Sequence, residues 1–299
     1  MWGSVRGITF GHARGRAASL SGTTTGIRYG MGHDPIDSAA AAAAKQHDLP
    51  LSVVIPVHDE AANIGALIDE VATALEGLLA FELVVVDDCS ADDTASVLAA
   101  AASARPWLRR LRHRSNAGQS AALRSGIEAA RGRWIATLDG DGQNDPADLP
   151  KLLALVDLEA PAPVQQLIAG YRRRRHDGWL KRVSSKVANA VRRRLLRDGT
   201  PDTGCGLKLF ERQLFLSLPL FDHFHRFLPA LVRLRGASVT SVEVNHRPRR
   251  GGRSHYGVAD RLWVGIVDLC GVMWLARRSR LPVVEELHDG APDGQQNGG

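Results

Sequence analysis

Residues 51–57, LSVVIPV, and residues 81–88, FELVVVDD, are two apolar runs of strand length, and between them Ala61 to Leu79 places Ile64, Leu67, Ile68, Val71 and Leu75 at helical spacing. A run of β-branched residues without polar alternation belongs to a strand covered on both faces, the usual state of a parallel sheet. Strand, helix and strand in that order form a crossover unit, so the reading is an α/β fold with a mainly parallel sheet flanked by helices. Working outward, Thr94 to Ala104 reads as the next helix, LRRLRHRS (108–115) as a weaker strand, and Ser120 to Ala130 as another helix. RWIATLDGDG (133–142) then runs as a strand into a loop. Three strands end in polar residues, and in open α/β sheets the ligand crevice lies beyond the carboxyl ends of the strands. Those ends are therefore expected to converge on the site.

The 299 residues, 44% of them hydrophobic, can supply a large core. Lys and Arg outnumber Asp and Glu by 38 to 32, and the resulting +6 suits phosphorylated or anionic partners without choosing among them. The cysteines Cys89, Cys205 and Cys270 are far apart and show no metal-ligand spacing, which argues against a disulfide framework or a zinc site. Residues 1–48, rich in Gly, Ser, Thr, Ala and Arg, lack an apolar signal region and are expected to form a disordered leader, with Met31 inside it as an alternative start. The main domain is expected over 49–257, a helix over 258–282, and a flexible tail over 283–299.

Directly after the apolar strand stands Asp139-Gly140-Asp141-Gly142-Gln143. Two carboxylates two residues apart, beside glycines that permit tight turning, can gather oxygen ligands around a hard cation. Magnesium or manganese fits, because such ions take few protein ligands and complete their shell with water and substrate phosphates. A calcium-binding EF-hand is excluded by the missing terminal glutamate and flanking helices. Asp87 and Asp88 end the second strand, where a carboxylate can hold a base or ribose or cap the next helix; Asp92, Asp93 and Thr94 are equally placed for capping.

Six runs in this order, VVIPVHDEAANI, LVVVDDCSADDT, RSNAGQSAALRSGIEAARG, LDGDGQNDP, DTGCGLKLF and RRGGRSHYG, span about residues 51 to 257. With them the chain resembles the family 2 glycosyltransferases of GT-A fold, and within these the dolichol-phosphate mannosyltransferase-like enzymes that act on polyprenyl phosphates. The resemblance implies that Pro56, His58 and Glu60 border the donor nucleotide, with His58 where an aromatic tyrosine is usual, and that Asp88 holds the base or ribose. It implies that Asp139, Asp141 and Gln143 bind the metal and, through it, the donor diphosphate. Asp202 falls at the family acid near the reaction centre, and Arg172, Arg182, Arg249 and Ser254 are candidates for gripping phosphate. His255 replaces a lysine often found after the serine. The implied activity is inverting transfer from GDP-mannose or a UDP-sugar to a polyprenyl phosphate. A GT-A enzyme with a soluble saccharide or protein acceptor is the alternative. A non-enzymatic nucleic-acid binder is a distant one, with no zinc-finger or RNP signature to support it.

LWVGIVDLCGVMWLA (262–276) is interrupted by Asp268 and followed by Arg277, Arg278 and Arg280. It is shorter than the roughly twenty apolar residues a bilayer span needs. An interfacial helix at the cytoplasmic face of a membrane is one expectation; a helix packed on the enzyme's own core, a membrane partner subunit or a second copy is the other.

Overall fold

The structure, a computed structural model, describes residues 49–172, 192, 194–196, 199–248 and 258–279. The expected leader (1–48) and tail (283–299) lie outside the described residues, as do Arg182, Arg249 and Ser254.

β1 (Leu49–Val57), α1 (Ala61–Leu75), β2 (Phe81–Asp87), α2 (Thr94–Ser103), β3 (Leu108–Arg112), α3 (Gln119–Ala129) and β4 (Gly132–Thr137) follow the order read from the sequence. A 3-10 turn at Pro146–Asp148 enters α4 (Leu149–Leu153), followed by β5 (Gln166–Tyr171), β6 (Lys208–Glu211), α5 (Arg212–Leu216) and α6 (Leu228–Leu234). A 3-10 turn at Phe224–Arg226, β7 (Ser238–Glu243) and α7 (Val258–Arg278) are also described. The helix expected to reach Leu79 stops at Leu75. Glu76 turns to extended backbone (ψ 130°) while its N–H still bonds Ala72 O, and Leu78 is 56% exposed, so another turn would bury little.

The seven strands stand in the order β3-β2-β1-β4-β6-β5-β7. β3, β2, β1 and β4 are parallel, β6 runs against both β4 and β5, and β7 is parallel to β5. The two sides of the sheet sort by residue parity, as a period of two requires. Leu51, Val53, Ile55 and Val57 pack with Ile64, Leu67, Ile68, Val71 and Leu75 of α1. Val54, Val84 and Val86 pack instead with Ala122, Leu123 and Ile127 of α3 and with α5 and α6. Both faces are covered, which explains the unbroken apolar runs of β1 and β2; each such side chain contributes about 1.5–3 kcal/mol on burial.

At the amino ends of the strands a buried polar knot ties β1, β2 and β4 together. Glu82 accepts from Ser52 Oγ at 2.6 Å, Arg131 N at 2.5 Å and Arg109 Nη1 at 2.8 Å, and Gly132 N donates to Ser52 Oγ at 2.8 Å. Burial opposes the charge of Glu82, but these donors outweigh it and hold its carboxyl below the ordinary range.

α7 contains the apolar stretch singled out in the sequence. Val272 is buried in the core, and Leu269 and Leu275 pack against it, while Ile266, Val267 and Trp274 are 45%, 52% and 63% exposed. Among the described residues no helix is long and apolar enough to cross a membrane.

Candidate active site

Strand order reverses between β1 and β4, so their carboxyl ends flank a crevice. Pro56 sits where this geometry tolerates it. The carbonyl of Val54 accepts from Leu138 N at 3.3 Å, and Pro56, two residues on, faces the same side just where β4 has left the sheet, so no ladder bond is lost. A Cβ on Gly140 would lie 2.6 Å from Val57 Cγ1 and 2.9 Å from Pro56 O, so the loop closes against β1 only because that residue is glycine.

Because β6 is antiparallel to β4, with Lys208 opposite Thr137, the segment entering it arrives at the crevice rather than at the far edge. Asp202, Cys205, Gly206 and Lys208 thereby meet the acidic loop, and β5 delivers Arg172 to the same edge. Asp139 is half-buried, receives Gln119 Nε2 on Oδ1 at 2.8 Å and donates its own N–H to Asn144 Oδ1 at 3.1 Å. Its carboxyl is pushed up to about 6, first by burial and then by the neighbouring charge of Asp141, against the pull of Lys208, Arg172 and Gln119. Asp141 Oδ1 accepts Gln143 N at 3.1 Å.

Opposite this pair stands a basic group. Arg172 forks onto Asp202, Nε to Oδ2 at 2.7 Å and Nη2 to Oδ1 at 3.1 Å, and Gly204 N adds a bond to Oδ1 at 3.1 Å. Asp202 thus holds Arg172, whose Nη1 donates no hydrogen bond among the described residues. Lys208 is 5% exposed and donates to the carbonyl of Cys205; burial lowers its affinity for a proton, while Cys205, Asp139 and Asp202 oppose that. With Gln119, Thr137, Asp139 and His225 it lines a cavity of about 20 Å³ behind the acidic loop, room for about one water. His225 meets Ser120 Oγ at 2.8 Å through Nδ1, and burial, then Arg226, keep the ring well below the ordinary histidine range, so it is neutral near pH 7.

On the other wall, His58 presents a partly exposed ring at the end of β1 with Nδ1 2.9 Å from Asp88 O. Asp88 is buried and shapes the wall: Oδ1 accepts Ala117 N at 2.9 Å and meets His113 Nδ1 at 2.7 Å, and Oδ2 accepts Gly118 N at 2.7 Å. Glu60, also buried, receives Asn63 Nδ2 at 2.6 Å and fixes the turn from β1 into α1. The capping role falls to Asp92, which accepts from Thr94 N at 2.9 Å and Ala61 N at 3.1 Å.

The structure therefore gathers Pro56, His58, Asp88, Asp139, Asp141, Gln143, Arg172 and Asp202 at one edge of the sheet. Gln119, His113, Lys208 and Arg247 also belong there and were not singled out in the sequence. Gln119 and Lys208 stood inside the quoted runs, but an amide at a helix start and a lysine opening an apolar strand look like solvated ends until the antiparallel strand turns them inward. Among the described residues no three or more His, Cys, Asp or Glu side chains gather into a metal cluster. The dense pair of carboxylates, one already forced toward its protonated form, suits a cation that draws the rest of its shell from phosphate and water.

Two carboxylates and buried cations facing one another beyond the strand ends define an α/β protein whose crevice suits a cation together with anionic groups. The family model "Glycosyl transferase family 2" matches residues 52–218. The chain belongs to that family and is a glycosyltransferase. It is 35% identical over 245 residues to a dodecaprenyl-phosphate galacturonate synthase of Rhizobium johnstonii, covering 78% of this chain and 69% of the relative. It is 32% identical to an undecaprenyl-phosphate 4-deoxy-4-formamido-L-arabinose transferase of Aeromonas hydrophila, covering 70% of this chain and 63% of that relative, so the alignment spans about two thirds of each. The solved glucosyl-3-phosphoglycerate synthase of Mycobacterium tuberculosis, in complex with Mn2+, UDP-glucose and phosphoglyceric acid, superposes with a TM-score of 0.56 at 22% identity. That alignment covers 84% of this chain and 85% of the other, and shows the shared fold.

Proposed function

We propose that this glycosyltransferase moves a sugar from a nucleoside-diphosphate sugar, GDP-mannose or a UDP-sugar, to a polyprenyl phosphate, with inversion at the anomeric carbon. The observation that carries the reading is the meeting of the Asp139–Asp141 pair with Arg172 and Lys208 at the strand ends, which matches charge for charge a donor diphosphate, its cation and an anionic acceptor. Both curated relatives are named for transfer to polyprenyl phosphates, which supports the acceptor class.

Asp139, Asp141 and Gln143 would hold Mg2+ or Mn2+, which supplies Lewis-acid stabilisation of the charge developing on the leaving diphosphate. The M. tuberculosis structure with Mn2+ and UDP-glucose supports that choice. The chain's own residues supply the rest. His58, on the wall shaped by Asp88 and Glu60 beside Pro56, borders the base and ribose. Asp202 keeps the Arg172 guanidinium in one plane, so that Nη1 meets a phosphate oxygen without an entropic search. A lipid phosphate is already anionic near neutral pH, so its oxygen attacks the anomeric carbon as the bond to the diphosphate breaks, and Asp202 orients rather than deprotonates. Arg182, Arg249 and Ser254 complete the phosphate grip in this reading.

The exposed Ile266, Val267 and Trp274 of α7, with Arg277 and Arg278 in its last turn, form an interfacial surface for the cytoplasmic leaflet, so the enzyme works as a peripheral protein. The test is to incubate the purified chain with Mg2+ or Mn2+, undecaprenyl or dolichyl phosphate and labelled nucleotide sugars, and to count label entering organic solvent. Metal-dependent lipid label with one donor is expected. Donor turnover with all label left in water would replace the lipid acceptor with a soluble one.

A further inference from the structure

The segment that leaves β7 runs alongside the acidic loop and is sewn to it. Asn245 N donates to Asp148 Oδ2 at 2.6 Å, Asn144 and His246 form an antiparallel bridge, and Arg247 N donates to Gln143 O at 3.0 Å. The side chain of Arg247 then reaches in two directions. Nη1 lies 3.0 Å from both carboxylate oxygens of Glu70 on α1, and Nη2 lies 2.7 Å from Asp145 Oδ1. Its carbonyl accepts Gln143 Nε2 at 3.5 Å. The other oxygen of Asp145, Oδ2, accepts Asn245 Nδ2 at 3.5 Å.

One residue thus grips the loop at 143 and 145 and anchors it to α1, whose apolar face packs in the core. With the side-chain amide N–H of Gln143 turned toward the Arg247 carbonyl, its amide oxygen faces away from that carbonyl, and Gln143 N in turn donates to Asp141 Oδ1. The chain of contacts Glu70, Arg247, Gln143, Asp141 ends on the oxygen ligands without Arg247 being one of them.

We infer that Arg247 is a positioning residue, which sets the ligand geometry of Asp141 and Gln143 through its fork to Glu70 and Asp145, and so determines the affinity of the loop for a divalent cation and a nucleoside diphosphate that it does not touch. The inference rests on the metal reading above. Groups that orient metal ligands from behind are worth about 10–100-fold in metal affinity, and a lysine cannot span two carboxylates as a planar guanidinium does.

The test uses the full chain, titrated calorimetrically with Mn2+ alone and with Mn2+ in the presence of UDP, at one pH. Amide hydrogen exchange over residues 139–148 supplies a readout that needs no metal. Arg247→Met and Arg247→Lys are each expected to weaken Mn2+ binding about 10-fold and to speed exchange at Gln143 and Asp145, with the circular dichroism of the sheet intact. Glu70→Gln, which keeps the shape and removes the charge, should give a smaller loss in the same direction, and it serves where the Arg247 variants fold poorly. In combination with Arg247→Met it should add little, since both act through one contact. Affinity within twofold of the unsubstituted chain, with unchanged exchange in the loop, would overturn the inference while leaving the metal reading standing. An unsubstituted chain that binds no Mn2+ with or without UDP overturns both.

Discussion

Gly206→Ala removes no functional group, yet it should disable the enzyme. A Cβ built at Gly206 lies 2.3, 2.4 and 2.5 Å from the three carboxyl atoms of Asp139, where ordinary contact begins at 3.4 Å. The carboxyl must therefore retreat by about 1 Å, and misplacement on that scale in a reacting assembly costs roughly 10²-fold in rate. The backbone cannot absorb the shift, because Asp139 N is bonded to Asn144 Oδ1 at 3.1 Å and Gly140 already abuts Val57 and Pro56. The side chain has to rotate instead, which breaks the 2.8 Å bond from Gln119. Overpacking of this kind costs about 1–3 kcal/mol of stability, so the protein should remain folded with a lowered Tm. The assay is label transfer at saturating Mn2+, paired with calorimetric Mn2+ affinity and thermal unfolding. Gly65→Ala is the control, since its Cβ meets only Val97 Cγ1 at 3.5 Å and a helical alanine adds about 0.5–1 kcal/mol. A Gly206→Ala protein that keeps a third or more of its turnover would refute the claim that Asp139 must stand where it does.

Lys208→Met keeps the shape of a buried side chain but removes the cation that, ahead of Arg172, offsets the charge of Asp139, so turnover should fall about 10²-fold or more at a removed electrostatic contact, with nucleoside-diphosphate affinity measured calorimetrically falling alongside. Asp141→Ala is expected to abolish turnover while the far-ultraviolet circular dichroism stays unchanged; near-normal turnover at saturating metal would contradict the ligand assignment. Since Asp139 in the metal-free protein takes up a proton near pH 6, Mn2+ must displace that proton below this pH, and affinity should weaken about tenfold for each further unit of acidity. Glu82→Gln should destabilise the fold by about 1–3 kcal/mol, because the donors from Ser52, Arg109 and Arg131 N lose their charged acceptor. Because the Glu82 carboxyl is held below its ordinary value, its contribution is present above the unfolded-state value near 4.5 and disappears as pH falls through the folded one. The denaturation midpoint of the unsubstituted chain should therefore drop on acidification in that window, and the Glu82→Gln midpoint should drop less.

The strands and helices around β1, β2 and β4 were legible because each is fixed by a local period: apolar runs for strands buried on both faces, and spacings of three and four for α1. The acidic loop was legible because its two carboxylates are neighbours in sequence. Lys208 and Arg247 were not legible. Lys208 faces the crevice only because β6 runs against β4, and the sense of that strand is set by packing far from the lysine. Arg247 matters through Glu70 and Asp145, partners distant in the chain that no spacing can announce. Asp202 and Arg172 were each singled out as separate groups, whereas the structure joins them in one planar fork. The early end of α1 was hidden for the opposite reason, since Leu78 and Leu79 extend the apolar period but the fold offers Leu78 nothing to bury against.

The placement of charge explains how the crevice would take the two anions of the proposed reaction without being simply basic. An open cluster of arginines would hold a lipid phosphate and a diphosphate equally well, and in either order. Here the carboxyl pair repels bare phosphate from the floor of the site, and Asp139 carries an electrostatic load that its raised affinity for a proton records. A divalent cation relieves that load and reverses the sign of the floor, so in the proposed reaction the donor diphosphate binds where the cation has prepared a place for it. Lys208 and the fork of Arg172 with Asp202 stay positive or neutral throughout, and provide for the second anion on the other side. It follows that Mn2+ should raise the Tm strongly at pH 7.5, where Asp139 is ionised and unrelieved, and only weakly at pH 5, where a proton has already done so. An equal rise at both pH values would place the cation somewhere other than on Asp139.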